Sequence, residues 1–439
     1  MGARETALNA LIACRKEKAW SNGVLKDYIR RDRLDGRDAA LATRLCYGVL
    51  QNRGKLDFYL KQLVTGRVKD LHPAVRDILH MGLYQIYEMD KIPGSAAVNE
   101  AVTLAKKYCR GMRNAPGLVN GVLRNALRTK GTLKEPTAWE DKYSHPKRLI
   151  EVLSQSIPSD KLEKMLIADN ETPPMTVQVN TLQIAPDALV EKLKEQGVTA
   201  QLHDWLPNSL VLENTGNLEQ LPSFRDGDFY VQDAAAQLSV ACAQLPRNRD
   251  IFIMDCCAAP GGKTFAAAIA MGNRGRIFAC DIHPHKIQLI ENGARRLGLK
   301  SVQALQQDAS VCRPEWVGKM DAVLADVPCS GYGIIRKKPD IRDKDPKDME
   351  SLPQLQLAIL TNQAKYVKPG GILMYSTCTV LRRENEDIVH AFLAQHSDYS
   401  LEPLTLPERM EQNTSGMLTL IPGEYDTDGF FIARLRRKP

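Results

Sequence analysis

Hydrophobic positions in the first third of the chain recur at the three- and four-residue spacing of α-helices. Ala7, Leu8, Leu11 and Ile12 begin this pattern, and it returns in Ala40–Leu50, Val75–Ile86 and Val98–Ala105. Pro73 and Pro93 stand where helices should begin, and a last helix is predicted over Ala115–Leu127. The pattern predicts an all-α domain over residues 1–135.

The spacing changes after a polar stretch, residues 131–145, which contains Pro136 and is predicted to be a linker. Short elements of both kinds follow. The predicted helices are Leu149–Leu153 and Leu189–Glu195, and the predicted strands are Met175–Asn180 and Ser209–Leu212. Residues 145–230 are therefore predicted to form a small α+β module.

From residue 231 onward, apolar runs alternate with helical stretches. The first run ends at Asp255 and leads through a turn of small residues into a helix that begins near Thr264. The later predicted strands are Gly275–Asp281, Val302–Asp308, Asp321–Val327 and Gly371–Thr377, with a closing antiparallel strand at Ile432–Leu435. This alternation predicts a doubly wound, Rossmann-like parallel sheet over residues 231–439.

Charge is unevenly distributed along the 439 residues. Residues 1–134 carry 25 Lys/Arg and 12 Asp/Glu, a balance of +13, so the rest must carry −6 of the whole-chain net charge of +7. This asymmetry favours a first domain that binds a polyanion, over the alternative of basic residues that merely solvate helices.

Several classes of protein are disfavoured. No apolar run approaches the roughly 20 residues of a membrane span, and the N-terminus lacks the apolar region of a secretory signal. Ten cysteines without a CxxC pair predict neither a disulfide framework nor a zinc module, so we expect a cytoplasmic protein without a metal site.

Candidate chemistry lies where the predicted strands end. One aspartate alone is as compatible with a helix cap as with a ligand, but four follow four strands: Asp255, Asp281, Asp308 and Asp326. This register favours a nucleoside cofactor. Because the pyrophosphate fingerprint G-x-G-x-x-G is missing, S-adenosylmethionine is favoured over NAD.

Two cysteines complete the pattern. Cys329 follows the strand that ends at Asp326, and Cys378 follows the strand that ends at Thr377. The adjacent ends of these strands should place both thiols at the same cleft. A cysteine at a strand end is usually inert, but two thiols beside a cofactor cleft are typical of nucleophilic catalysis.

Three motifs, DCCAAPGGKT, DVPCSG and STCT, resemble in order and spacing those of the S-adenosylmethionine-dependent RNA 5-methylcytosine methyltransferases. The whole chain is similar to the RsmB branch, whose N-terminal domain is NusB-like, and Arg37–Ala42, Leu45–Leu50 and Val119–Arg124 match that domain. Val327, Tyr332 and the second residue of DCCAAPGGKT depart from the usual pattern without removing a reacting group.

The resemblance implies a function and a role for each motif residue. It implies methylation at C5 of a cytosine, position 967, in 16S ribosomal RNA, with Cys378 as the nucleophile at C6, Cys329 as the thiol that helps break down the adduct, and Asp326 as the contact to the base. The residues that it assigns to the cofactor S-adenosylmethionine are Cys257, Ala258, Ala259, Pro260, Gly261, Gly262, Lys263, Asp281, Asp308 and Asp326.

Two other functions stay open at this stage. A related methyltransferase could act on tRNA, and a non-catalytic RNA-binding factor for ribosome assembly or antitermination would keep the same domains. Intact Cys329, Cys378 and Asp326 argue against the non-catalytic factor. RNA is thus the predicted partner, and no protein partner or membrane contact is evident.

Overall fold

The computed structural model describes residues 1–17 and 20–439, which form two compact units. The first unit consists of Met1–Ser154, Leu166–Glu171 and Ile335–Lys344, and the second of Gln155–Met165, Thr172–Ile334 and Asp345–Pro439. Neither unit is therefore one continuous stretch of sequence. The part of the chain that the structure describes has no helix long and apolar enough to cross a membrane.

The first unit is helical, as predicted. Its helices are α1 (Ala3–Glu17), α2 (Ser21–Asp32), α3 (Gly36–Gln51), α4 (Arg53–Leu63), α5 (Pro73–Glu88), α6 (Gly94–Tyr108), α7 (Ala115–Arg128), α8 (Trp139–Lys142) and α9 (Lys147–Ser154).

Local signals explain where these helices begin. The Asp35 carboxylate accepts a hydrogen bond from the backbone N–H of Asp38 and caps α3, and Pro73 occupies the first turn of α5. Helix α5 lies in the middle of the unit, and its Ile78, Leu79 and Leu83 have no exposed surface. The helical spacing of these residues is therefore the spacing of a buried face.

The predicted linker, residues 131–145, is not an extended connection. It contains α8, and its last three residues, 143–145, are buried. The His145 ring has no exposed surface and lies 3.1 Å from the Asp169 carboxylate. Burial lowers the pKa of His145, and the nearby Arg342 guanidinium acts in the same direction.

Residues 335–344 reach the first unit from a distant part of the sequence. They contain a 3-10 helix, Pro339–Asp343, and the guanidinium of Arg342 is buried there. It donates to the carbonyl oxygens of Gln51 and Asp169 at 2.6 and 2.8 Å and to the Asn170 side chain at 2.7 Å. Since a buried charge must be hydrogen-bonded, these acceptors hold the segment in place, and burial lowers the pKa of Arg342 to about 10.

The second unit contains an antiparallel sheet of four strands in the order β2-β3-β1-β4. Its strands are β1 (Met175–Val179), β2 (Thr199–Leu202), β3 (Ser209–Glu213) and β4 (Phe229–Val231). The helices of residues 155–228 are α10 (Ser159–Ala168), α11 (Pro186–Glu195) and α12 (Pro222–Arg225). Residues 166–168 of α10 belong to the first unit. The predicted α+β character is correct, although β2 and β4 were not predicted as strands.

The larger sheet has the order β10-β12-β9-β8-β5-β6-β7, with β11 paired to β12. Its strands are β5 (Phe252–Asp255), β6 (Arg276–Asp281), β7 (Val302–Gln306), β8 (Met320–Asp326), β9 (Val367–Thr377), β10 (Tyr399–Leu401), β11 (Met417–Leu420) and β12 (Phe430–Arg437). Strands β5 to β9 pair in parallel, and β12 is antiparallel to β9, as predicted for the closing strand.

Helices cover both faces of the larger sheet. They are α13 (Ala234–Ala241), α14 (Gly262–Ala270), α15 (Pro284–Arg296), α16 (Leu352–Ala364) and α17 (Glu386–Gln395). Adjacent residues of β5 belong to different cores, because Ile253 packs into one hydrophobic cluster and Met254 into another. In the strand order, β5 lies between β6 and β8, which is the switch point where ligands bind in doubly wound sheets.

Candidate active site at the strand ends

The glycine turn between β5 and α14 follows from two local features. Asp255 ends β5 without exposed surface, and its carboxylate accepts from the Thr264 hydroxyl at 2.6 Å. Gly261 has φ +113°, and a Cβ there would lie 2.4 Å from the Phe265 ring. Glycine is therefore required before the helix begins.

The start of α14 can accept a ligand carboxylate. Gly261 is its N-cap, and no described side chain caps the helix, so its first N–H groups are available to an anion. These donors fit the carboxylate of S-adenosylmethionine. The predicted residues Cys257–Lys263 form this turn and the first residues of the helix.

Two further predicted cofactor residues differ in their positions. Asp281 ends β6, is buried, and accepts from the backbone N–H of His283 at 3.0 Å. Such a carboxylate fits ribose hydroxyls. Asp308 does not end a strand, because β7 stops at Gln306. Asp308 instead accepts from the backbone N–H and hydroxyl of Ser310 at 2.8 and 2.6 Å, since a short polar side chain competes with strand pairing by bonding its own turn.

Lys263 lies beside the predicted catalytic carboxylate. Its ammonium group is 2.7 Å from Asp326 Oδ2 and 4.9 Å from the centre of the Phe430 ring. Burial opposes the charge of Lys263, but the Asp326 carboxylate, together with Asp255 and Cys378, outweighs this effect, and the pKa of Lys263 is raised. The other oxygen of Asp326 accepts from the Ser376 hydroxyl at 2.9 Å. Two donors therefore orient Asp326.

The two predicted cysteines meet. Asp326 at the end of β8 is in register with Ser376 of β9, and the loops that follow bring Cys329 Sγ and Cys378 Sγ within 3.1 Å. The pKa of Cys329 is raised well above its ordinary value by the hydrogen bond to Cys378, by burial, and by the charges of Cys378, Glu384 and Asp326. These surroundings favour the thiol form of Cys329.

Sequence reasoning missed the side chains that hold these loops. Ser330 and Thr379, each next to a cysteine, share a hydrogen bond of 2.8 Å between their hydroxyls. Glu384 and Asn385 contact the same loops from a turn before α17. The only sign of these contacts in the sequence was the polar run Arg382–Asp387, which closely follows Cys378.

Family models match the chain in three consecutive parts. Residues 1–128 match the NusB family, residues 145–219 match the Methyltr_RsmF/B-like, ferredoxin-like domain, and residues 241–436 match the 16S rRNA methyltransferase RsmB/F model. These matches agree with the predicted fold class of a NusB-like helical domain, a small α+β module and a Rossmann-like methyltransferase domain.

Solved structures show the same architecture. The protein in the crystal structure of PH0851 is 25% identical, with a TM-score of 0.81 and coverage of 98% of each chain. NSun6 from Pyrococcus horikoshii with SFG is 22% identical, with a TM-score of 0.59, and covers 67% of this chain and 98% of its own. The NSun6 likeness concerns the fold alone.

Curated relatives extend over nearly the whole chain. The probable ribosomal RNA small subunit methyltransferase B of Bacillus subtilis is 35% identical over 99% of this chain and 98% of its own length. The protein of the same name from Synechocystis is also 35% identical, over 100% of both chains, and the ribosomal RNA small subunit methyltransferase B of Klebsiella pneumoniae is 33% identical over 93% and 92%. With this likeness over its full length and two cysteines in contact beside Asp326, the chain belongs to the ribosomal RNA small subunit methyltransferase B family.

Proposed function

We propose that this protein transfers a methyl group from S-adenosylmethionine to C5 of a cytosine in 16S ribosomal RNA, at position 967 by family resemblance. The contact of Cys329 with Cys378, beside Asp326, carries the proposal. A cytoplasmic location, where ribosomal subunits assemble, belongs to the proposal. Family membership supports the RNA class, and the +13 balance of residues 1–134 supports binding to the RNA backbone.

The chemistry explains why two thiols are needed. C5 of cytosine is a poor nucleophile, but addition of the Cys378 thiolate to C6 forms an S–C bond and turns C5 into an enamine carbon. Bound S-adenosylmethionine supplies the electrophilic methyl group. Once C5 carries the methyl group, a base takes the C5 proton, the C5–C6 double bond forms again and the Cys378 thiolate leaves C6. Cys329 assists this last step.

Asp326 and Lys263 act on the base. Asp326 forms a hydrogen bond to N3 or the amine of the cytosine and orients the base. The Lys263 ammonium group, paired with Asp326, offsets the negative charge that develops on the ring during addition. The base must leave its stack to reach the cleft, because a thiolate cannot approach C6 in a helix.

The proposed roles are tested by methyl transfer from labelled S-adenosylmethionine to unmethylated 16S rRNA and, in a parallel reaction, to unmethylated tRNA. We expect 5-methylcytosine with the wild type and with Cys312→Ala, a control at an exposed cysteine. Cys378→Ala should lose at least about a thousandfold in rate, as for other enzymes that lose a nucleophile. Cys329→Ala should accumulate a protein–RNA adduct that resists denaturant.

Each other outcome has a distinct meaning. Methylation by Cys378→Ala would contradict the nucleophile assignment. Labelling of tRNA alone would transfer the proposal to the tRNA alternative with the same chemistry. Binding of 16S rRNA without methyl transfer by the wild type would favour the non-catalytic assembly factor.

A further inference from the structure

A buried carboxylate lies behind the two cysteines. Glu384 ends a 3-10 turn, Arg382–Glu384, that follows the Cys378 loop, and its side chain has no exposed surface. Glutamate is almost never fully buried unless it is paired. Packing alone therefore does not account for a fully buried Glu384 next to the two reacting thiols.

Glu384 holds the loop of Cys329. Its Oε2 atom accepts from the backbone N–H of Ser330 and from the Gln356 side chain, each at 2.9 Å. Gln356 is also fully buried and donates to the carbonyl oxygen of Pro328 at 3.0 Å. The Glu384 carboxylate thus holds both neighbours of Cys329: Ser330 directly and Pro328 through Gln356.

Asn385 holds the loop of Cys378. Its Oδ1 atom accepts from the Thr377 hydroxyl at 2.6 Å, and its Nδ2 atom donates to the carbonyl oxygen of Thr379 at 3.0 Å. These two threonines flank Cys378, and all three polar side chains are fully buried. Glu384 and Asn385, which we call the 384–385 turn, therefore form hydrogen bonds to the loops of both cysteines.

We propose that the 384–385 turn positions the two thiols for methyl transfer, with Glu384 holding Cys329 and placing negative charge beside it, and Asn385 holding Cys378. This role rests on the proposed function. A negative charge near Cys329 disfavours its thiolate. The pKa of Cys329 is raised by the hydrogen bond to Cys378, by burial and, to a smaller extent, by the charge of Glu384. The turn thereby keeps the two sulfurs chemically different while they remain in contact.

The first test needs neither RNA nor cofactor. In a Cys378→Ala background, alkylation of Cys329 by iodoacetamide is followed by mass spectrometry of its peptide across pH 7 to 10. Glu384→Gln keeps an oxygen to accept both hydrogen bonds but removes the charge. This substitution should lower the pKa of Cys329 and shift its pH profile of alkylation to lower pH. For each unit by which the pKa falls, alkylation below the pKa should become about threefold faster, because the thiolate fraction increases while each thiolate becomes less nucleophilic.

The matched control is Glu386→Gln. Glu386 is two residues away and accepts from the Thr419 hydroxyl at 2.9 Å, so its charge is removed without a change at the cysteine loops. An unchanged Cys329 profile in Glu384→Gln, or an equal shift in Glu386→Gln, would overturn the electrostatic role of Glu384.

The second test measures the reaction. Glu384→Ala should accumulate the denaturant-resistant RNA adduct, as is expected of Cys329→Ala. Asn385→Ala should accumulate less adduct than Glu384→Ala and slow methyl transfer at least about tenfold. Circular dichroism checks that each variant is folded. Identical defects in the two variants would overturn the division of roles within the turn. If the wild type transfers no methyl group and Cys329→Ala accumulates no adduct, the proposed reaction fails. The alkylation result still tests the role of the 384–385 turn in that case.

Discussion

The carboxyl group of Asp255 lies at the end of β5 without exposed surface, with the Thr264 hydroxyl as its donor. Burial raises the pKa of Asp255 to about 7, opposed by the Thr264 hydrogen bond and the Lys263 charge. In the unfolded chain the same group should titrate near its ordinary value of about 4. The folded state therefore holds this proton over a range in which the unfolded state has released it.

This difference predicts a stability that falls as pH rises. The contribution of Asp255 is fully present below about pH 4 and is lost as pH rises through about 7. About three pKa units at ~1.4 kcal/mol each give a change on the order of 4 kcal/mol. The Asp255→Asn variant has no titrating group at this position. Between pH 4 and pH 8, its free energy of unfolding in urea should therefore increase relative to that of the wild type. A constant difference between the two proteins would show that Asp255 does not titrate in this range.

Among the elements, the β5–α14 connection depends on one backbone conformation. Gly261→Ala would strain a residue at φ +113° and place a Cβ against the Phe265 ring. We expect a decrease of about 1–3 kcal/mol in the free energy of unfolding and at least about tenfold weaker binding of S-adenosylmethionine by calorimetry.

A substitution at a second glycine serves as a control that separates the effect of backbone strain from the effect of displacing the cofactor turn. Gly318 has φ +66°, but a Cβ there would meet nothing within 4 Å. Gly318→Ala should therefore be somewhat less stable and keep its affinity for S-adenosylmethionine. Equal affinities for Gly261→Ala and the wild type would exclude the turn from the cofactor site.

Across the molecule as a whole, the basic balance of the first domain predicts its RNA affinity. Arg110 and Arg113 are exposed in the connection between α6 and α7. Replacing both with glutamate should weaken binding to 16S rRNA fragments at least about tenfold at low salt. It should also reduce the slope of log K against log salt by about 1 for each phosphate that is no longer neutralised. Lys300→Glu, at an exposed site in the second unit, is the control. An unchanged slope in the double variant would exclude these arginines from the RNA interface.

The type and order of most elements could be predicted from the amino-acid sequence. The spacing of apolar residues identified the helices of the first domain, and the apolar run that ends at Asp255 marked β5 before α14. These patterns suffice because the period of a buried face is a local property of the chain. Element ends were less certain: Asp308 was expected to end β7, and its bonds to Ser310 take it out of the strand. The motifs around Cys329 and Cys378 were also visible, because they are continuous in sequence.

Several contacts between distant side chains were settled by tertiary packing alone. The fold brings Lys263 to Asp326, 63 residues away, and Glu384 to the N–H of Ser330, 54 residues away. It also places Arg342 in the helical first unit, although this residue lies in sequence between β8 and α16. No spacing rule contains these contacts, because each depends on how whole elements pack and on the requirement that buried charges find partners.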